Sequence, residues 1–339
     1  MAIKCTLIAI VEVALLLQVL QLSKICETGV EWMLAIIIYR CILTNSLFLR
    51  TNKLKIITMK LSPINITNFK IDGGAMFGVV PKVLWQRVYP ANAANLCSWS
   101  LRSLVVEAGN RVILIDDGFG DKQDAKFFSH FHLFGGDGLL GGLSKLGYDP
   151  SDITDIVLTH LHYDHCGGGI RVNQNNGNYE AVFPNAKFHI SRAQWEWAIN
   201  PNAREADSFL EENILPMQEL GLVNFIDDEC FITEGVELRI FNGHTKGQII
   251  PIVHHQNGGL VFVADLFPST AHILLPYIMS YDVEPMITLQ EKADFLEESL
   301  AKGFTFFFQH DFYTECCTLQ RTQKGIRADR LFSLDEFLG

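Results

Sequence analysis

The sequence predicts an α/β fold whose chemistry sits at a sheet edge. Three observations carry this. An apolar run, Asp155-Ile156-Val157-Leu158, reads as a buried strand and breaks into Thr159-His160-Leu161-His162-Tyr163-Asp164-His165-Cys166-Gly167-Gly168-Gly169, the way α/β folds deliver side chains from a strand into a turn. The pattern recurs where Val236 to Phe241 runs into His244, Val261 to Ala264 into Asp265, and Phe304 to Phe308 into His310. Strand-like runs also alternate with helical stretches at Lys122 to His132, Ser191 to Ala198, Ser208 to Leu220 and Thr288 to Ala301.

The residues after Leu158 hold four metal-competent side chains within six positions. His160 and His162 are two apart, so in extended backbone they point to one side. Asp164 and His165 are adjacent and diverge, so one pair suits one metal and the other pair a second metal nearby. A histidine-rich surface loop is the plain alternative, and three histidines with an aspartate at this spacing disfavour it. Imidazole and carboxylate donors suit zinc, and iron, manganese and cobalt use the same donors.

The His-x-His-x-Asp-His run resembles the signature of the metallo-β-lactamase superfamily. The resemblance implies a four-layer αββα sandwich with a metal site at one edge. It extends to Gly243-His244-Thr245-Lys246-Gly247-Gln248, with Lys246 where the family commonly has Pro, and to Asp265 and His310. The family pattern implies two divalent metal ions, most simply Zn2+. His160, His162 and His244 would hold the first, Asp164, His165 and His310 the second, and Asp265 would bridge. Two metals about 3.5–4 Å apart lower the pKa of a shared water from about 15.7 toward about 7, so a bridging hydroxide would attack a carbonyl or phosphoryl centre. Asp116, in Asp116-Asp117-Gly118, matches the family's carboxylate that steadies the metal loop; an ordinary turn carboxylate is the alternative.

Within the superfamily the pattern looks most like the quorum-quenching lactonases and methyl parathion hydrolase. The stretches Gly73 to Gly78 with Pro81, Asp265 to His272 and Tyr281 to Pro285 carry that likeness. It implies a small lactone or other carboxylic ester as substrate. Asp164 and His272 are the residues implied to take part in the chemistry, Asp164 as a ligand and His272 at the substrate's carbonyl or leaving group. A histidine capping a local turn is the alternative for His272. Phe77, Trp85 and Phe267 are candidates for an acyl-chain pocket, with core packing as the alternative. Other readings are a glyoxalase II-like thioesterase, helped by basic residues Arg321, Lys324, Arg327 and Arg330, a phosphotriesterase, and a mono-iron sulfur dioxygenase. The bridging Asp265 argues against the best-known β-lactamases, which place Cys in the second site.

The chain has 339 residues, 48% of them hydrophobic, and a formal charge of −11. No basic stripe appears, which argues against a nucleic-acid partner. Eight cysteines without a Cys-x-x-Cys spacing suit free thiols in a reducing, cytoplasmic compartment. Residues 1–58 differ from the rest. They carry apolar runs near the ~20 residues that span a bilayer, interrupted by Glu12, Gln18 and Arg40. A membrane anchor, a degenerate export signal and upstream translation ahead of Met59 are the readings, so membrane contact would come only through this segment. Residues 59–339 form the expected hydrolase domain. Oligomeric state is left open, a homodimer among the options.

Overall fold

The computed structural model describes residues 59–339; the readings of residues 1–58 lie outside the described residues. The strands among the described residues are, in chain order, β1 (Lys60–Asp72), β2 (Leu96–Ala108), β3 (Arg111–Ile115), β4 (Asp155–Val157), β5 (Ile170–Val172), β6 (Tyr179–Ala181), β7 (Lys187–Ser191), β8 (Val223–Ile226), β9 (Cys230–Thr233), β10 (Val236–Phe241), β11 (Gln248–His255), β12 (Gly258–Phe262), β13 (Thr305–Phe307), β14 (Cys316–Thr322) and β15 (Gly325–Phe332). One sheet has the order β1-β2-β3-β4-β7-β8 and the other β15-β14-β13-β12-β11-β10-β9, with β5 and β6 as a separate hairpin.

Strand alternation explains why the sheets stack. Leu104, Val106, Ile113, Ile115 and Val157 share a core with Val236, Leu238, Val253 and Leu260 of the second sheet. Their neighbours Val105, Leu114, Ile156 and Leu158 belong to another core, with Leu143, Trp195, Ile214 and Met217. Those four come from helices Leu139–Leu146, Arg192–Ala198 and Glu211–Glu219. On the far face of the second sheet lies helix Pro285–Lys302, whose Phe295 stacks on Phe306 at 6.1 Å. This is the expected αββα sandwich.

Several boundaries differ from the sequence expectation. The run after Lys122 forms only a short helix, Ala125–Ser129. Polar loop Arg171 to Phe183 contains the β5–β6 hairpin. The helix expected at Thr288 begins at Pro285, and its N-cap, Glu284, makes no side-chain cap bond. Thr288 Oγ1 instead donates to the Glu284 carbonyl at 3.4 Å. Glu291, three residues after Thr288 and so spaced for a capping box with it, accepts from the backbone of Asn242 and Gly243 at 2.7 and 2.9 Å. A cap residue was drawn away by a tertiary partner: the loop that carries His244.

The same helix buries Lys292 almost fully. Its ammonium donates to the carbonyls of Tyr277 and Leu274, at 2.6 and 3.3 Å, and burial pushes its pKa down to about 7. The unfolded chain therefore binds this proton up to about pH 10.4 while the folded chain releases it near 7. Stability from this site should rise as pH climbs through that window. Unfolding midpoints at pH 7 and 9 should show the rise in wild type and a smaller one in Lys292→Met; equal rises would contradict it.

Candidate metal centre

Strand β4 ends at Val157, and Asp116 anchors the motif loop beyond it. Its backbone N–H donates to the Val157 carbonyl, and it sits at a positive φ of 56°, a conformation costly for a residue with a Cβ. Its carboxylate accepts from the Thr159 N–H and hydroxyl at 2.7 and 2.8 Å, and from His165 Nδ1 at 2.8 Å. The Thr159 hydroxyl in turn lies 3.0 Å from His160 Nδ1. One buried carboxylate thus orients two candidate ligands.

The three glycines after the motif are required by close approach. A Cβ on Gly167 would lie 1.8 Å from the Phe119 carbonyl oxygen, and one on Gly168 2.2 Å from that of Asp117. Here the motif loop lies backbone against backbone along residues 117–119, with Gly167 N–H donating to the Gly118 carbonyl at 2.6 Å.

The remaining ligands come from the second sheet. His310 lies where residues 309–311 pair with β2: Ser100 N–H donates to the His310 carbonyl, and His310 Nδ1 donates to the Ser100 carbonyl at 2.9 Å. Asp265 sits in a tight turn after Ala264, another non-glycine at positive φ, 39°. His244 Nδ1 donates to Asp282 at 2.7 Å, and His162 Nε2 donates to Glu205 at 2.9 Å.

All seven expected ligands come together. The donor atoms of His160, His162 and His244 lie within 4.8 Å of one another, as do those of His160, His165 and Asp265, and of Asp164, His165 and His310. Asp265 faces both groups: Oδ2 is 3.3 Å from His244 Nε2, while Oδ1 is 3.0 Å from His310 Nε2 and 3.6 Å from His165 Nε2.

The donor set fits metal ions on direct grounds. Each histidine spends one nitrogen on an outer partner, which leaves the other aimed inward. His244 Nε2 and His162 Nδ1 then face each other at 3.2 Å, and His310 Nε2 and His165 Nε2 at 3.4 Å. Two lone pairs at such distances repel unless a cation, proton or metal, lies between them. His160 Nε2 is buried with no hydrogen-bond partner, an uncommon state for a buried nitrogen. Burial pushes the His160 pKa well below its ordinary value, with the neighbouring histidines adding to it. Burial also opposes charge on His165, but Asp164, Asp265 and Asp116 around it raise its pKa to about 10. The cluster attracts cations.

A narrow open cleft leads to these groups. Its apolar wall includes Phe69, Met76, Phe119, Phe131 and Met279, and Tyr163 and Tyr281 also line it. No lysine or arginine is among its lining residues. Phe77, Trp85 and Phe267 are fully buried core residues instead. His272 is also placed away from the cleft lining. It is buried and stacked on Phe77 at 4.8 Å, and its nitrogens are committed to the Met76 carbonyl and Ser269 Oγ, both at 2.8 Å. These contacts are the ones the local-turn alternative calls for. Glu205 escaped the sequence reading, and Tyr281 and Asp282 entered it only within the stretch Tyr281 to Pro285, with no role assigned. Trp195 and Trp197, two apart on one helix, cannot both face its core, and Trp197 Nε1 donates to Glu205 at 2.6 Å.

Residues 102–310 match the metallo-beta-lactamase superfamily model. The chain belongs to the metallo-β-lactamase superfamily. An N-acyl homoserine lactonase from Bacillus cereus is 27% identical over 188 residues, which cover 51% of this chain and 65% of that protein. A second such lactonase, from Bacillus thuringiensis subsp. kurstaki, is 28% identical over 38% of this chain and 44% of its own length. The chain therefore spans less than two thirds of these curated relatives. A probable metal-dependent hydrolase from Staphylococcus aureus superposes with a TM-score of 0.74 and 27% identity, over 82% of this chain and 98% of that one. A dizinc quorum-quenching lactonase in complex with a product has a TM-score of 0.66 at 22% identity, over 83% and 97%, a likeness of fold.

Gly243 shows how tightly the His244 loop is held. A Cβ there would lie 2.3 Å from Thr288 N and 2.5 Å from its Cα, with backbone on the far side that has little room to move. Gly243→Ala should push helix Pro285–Lys302 from the loop and lower stability by about 1–3 kcal/mol. Denaturant unfolding checks this; an unchanged midpoint would mean that the helix yields freely.

Proposed function

We propose that the chain is a binuclear metal-dependent hydrolase acting on a neutral lactone or other carboxylic ester. The observation that carries the binuclear reading is Asp265, whose two oxygens face two different histidine groups. His160, His162 and His244 would hold one ion, and Asp164, His165 and His310 the other. Two such ions, when bound, would supply a nucleophilic water near neutral pH and polarise a carbonyl oxygen. Zinc fits the donors best, with iron, manganese and cobalt as alternatives.

The chain's own residues narrow the substrate. An aromatic and methionine-lined wall suits an apolar arm next to the reacting carbonyl. The cleft's acidic Asp164 and Asp265, without a cationic side chain, disfavour an anionic substrate. The basic tail that kept the glutathione-thioester reading open is used elsewhere. Arg321 pairs with Glu297, and Arg327 bonds carbonyls of its own β14–β15 hairpin. Tyr281 replaces His272 as the candidate proton donor. Burial raises its hydroxyl pKa and Asp164 adds to the shift, so it stays protonated at neutral pH. Tyr163 lines the same cleft.

The test is turnover by metal-loaded protein of a panel of acyl lactones, anionic thioesters, phosphotriesters and β-lactams. The lactones should be hydrolysed fastest. Tyr281→Phe should keep both metals and lose about 10²-fold in turnover, the scale of one positioned proton donor, while Asp265→Ala should lose metal together with activity. Preference for the thioester would contradict the substrate reading; metal loss in Tyr281→Phe would contradict the assigned role.

A further inference from the structure

The two candidate metal positions share Asp116, which reaches His165 directly and His160 through Thr159, but their other histidines are held by different parts of the fold. His165 and His310 spend their outer nitrogens on Asp116 and on the Ser100 carbonyl, both at strands of the first sheet. His162 depends instead on Glu205, in residues 202–208, a segment between helices Arg192–Ala198 and Glu211–Glu219 that belongs to neither sheet, and His244 on Asp282, in a turn that this segment holds.

Glu205 is the centre of that segment. It is 3% exposed, a rare position for a carboxylate without partners. One oxygen accepts from His162 Nε2 at 2.9 Å. The other accepts from Trp197 Nε1 at 2.6 Å and Asn202 Nδ2 at 3.2 Å, so its orientation is fixed from two sides. Beside it, the Arg204 guanidinium donates to the carbonyls of Ser280 and Asp282, and the Asp282 carboxylate holds His244 Nδ1 at 2.7 Å. Farther along, the Ser208 carbonyl accepts from the Tyr163 N–H at 3.0 Å. The segment thus straps the motif loop to the 280–282 turn, across the His162 and His244 side of the cluster.

We infer that Glu205 is a positioning residue that sets how tightly the ion at His160, His162 and His244 is held, independently of the ion at Asp164, His165 and His310. The inference rests on the two-metal reading above. A carboxylate accepting from a ligating imidazole fixes its tautomer and raises the basicity of the donor nitrogen. Removing such a partner typically costs about 10–100-fold in metal affinity. Arg204 adds the geometric half by fixing the turn that carries Asp282.

The test is metal release from the full, metal-loaded chain to a chromophoric chelator, followed by stopped flow, with melting of the metal-free protein in parallel. Wild type should release its ions in two phases. Glu205→Gln keeps an acceptor for His162 and the packing volume but removes the charge. It should speed one phase by about 10–100-fold, leave the other within a factor of about two, and leave the metal-free melting point in place. Asp116→Asn, which loosens His165 directly and His160 through Thr159, should speed both phases. Trp197→Phe removes one donor from Glu205 and should give a smaller acceleration of the Glu205 phase. Wild-type rates in Glu205→Gln would overturn the inference, and so would equal acceleration of both phases with a lower melting point. Release of a single ion from wild type would contradict the two-metal reading; an unchanged rate for that ion in Glu205→Gln would overturn the Glu205 inference as well.

Discussion

The structure depends on one electrostatic constraint: five imidazoles and two carboxylates converge with their donor atoms inward. Each histidine is turned inward by a bond on its outer side, to Thr159, Glu205, Asp116, Asp282 or the Ser100 carbonyl. Nitrogens facing one another at 3.2 and 3.4 Å repel without a cation. The fold supplies the force that holds them so, and binding of cations would return that free energy.

That force comes from ordinary packing. The inter-sheet core is made by alternate residues of β2, β3 and β4 against β10, β11 and β12, and the ligands leave from strand ends or the turns beyond them. Segment 309–311 pairs with β2, which ties His310 of the second sheet to the first. Arg102 reinforces the same seam. Buried, it donates to the carbonyls of Phe308 and Asp311 at 3.2 and 2.6 Å. Strain gathers here too, since Asp116 and Ala264, both non-glycine residues at positive φ, stand beside the ligands. Strained backbone concentrates where surrounding structure over-determines it.

The seven residues that converge were legible because each follows an apolar run and together they match the family's motifs. The runs pointed to an α/β fold, and the family resemblance implied the sandwich. What was not legible depends on tertiary contact. Glu205 is an ordinary acidic residue in a polar stretch until the fold brings it to His162, 43 positions away. Glu291 had the right spacing for a capping box, yet the loop at Asn242 and Gly243 claimed it. His272 sat at a suggestive distance after Asp265, but its side chain turns into an aromatic stack with Phe77. Tyr281 reaches the cleft instead. Strand β1 was not read, because its buried positions do not alternate cleanly and its pairing shifts between Asn65 and Thr67.

The central claim is that two cations share Asp265. Anomalous diffraction from crystals of the metal-loaded chain, collected on either side of the metal's absorption edge, tests it most directly. The account predicts two peaks about 3.5–4 Å apart. One should lie among His160, His162, His244 and Asp265 Oδ2, and the other among Asp164, His165, His310 and Asp265 Oδ1. A single peak at full metal saturation, or two peaks with Asp265 bound to only one of them, would contradict it.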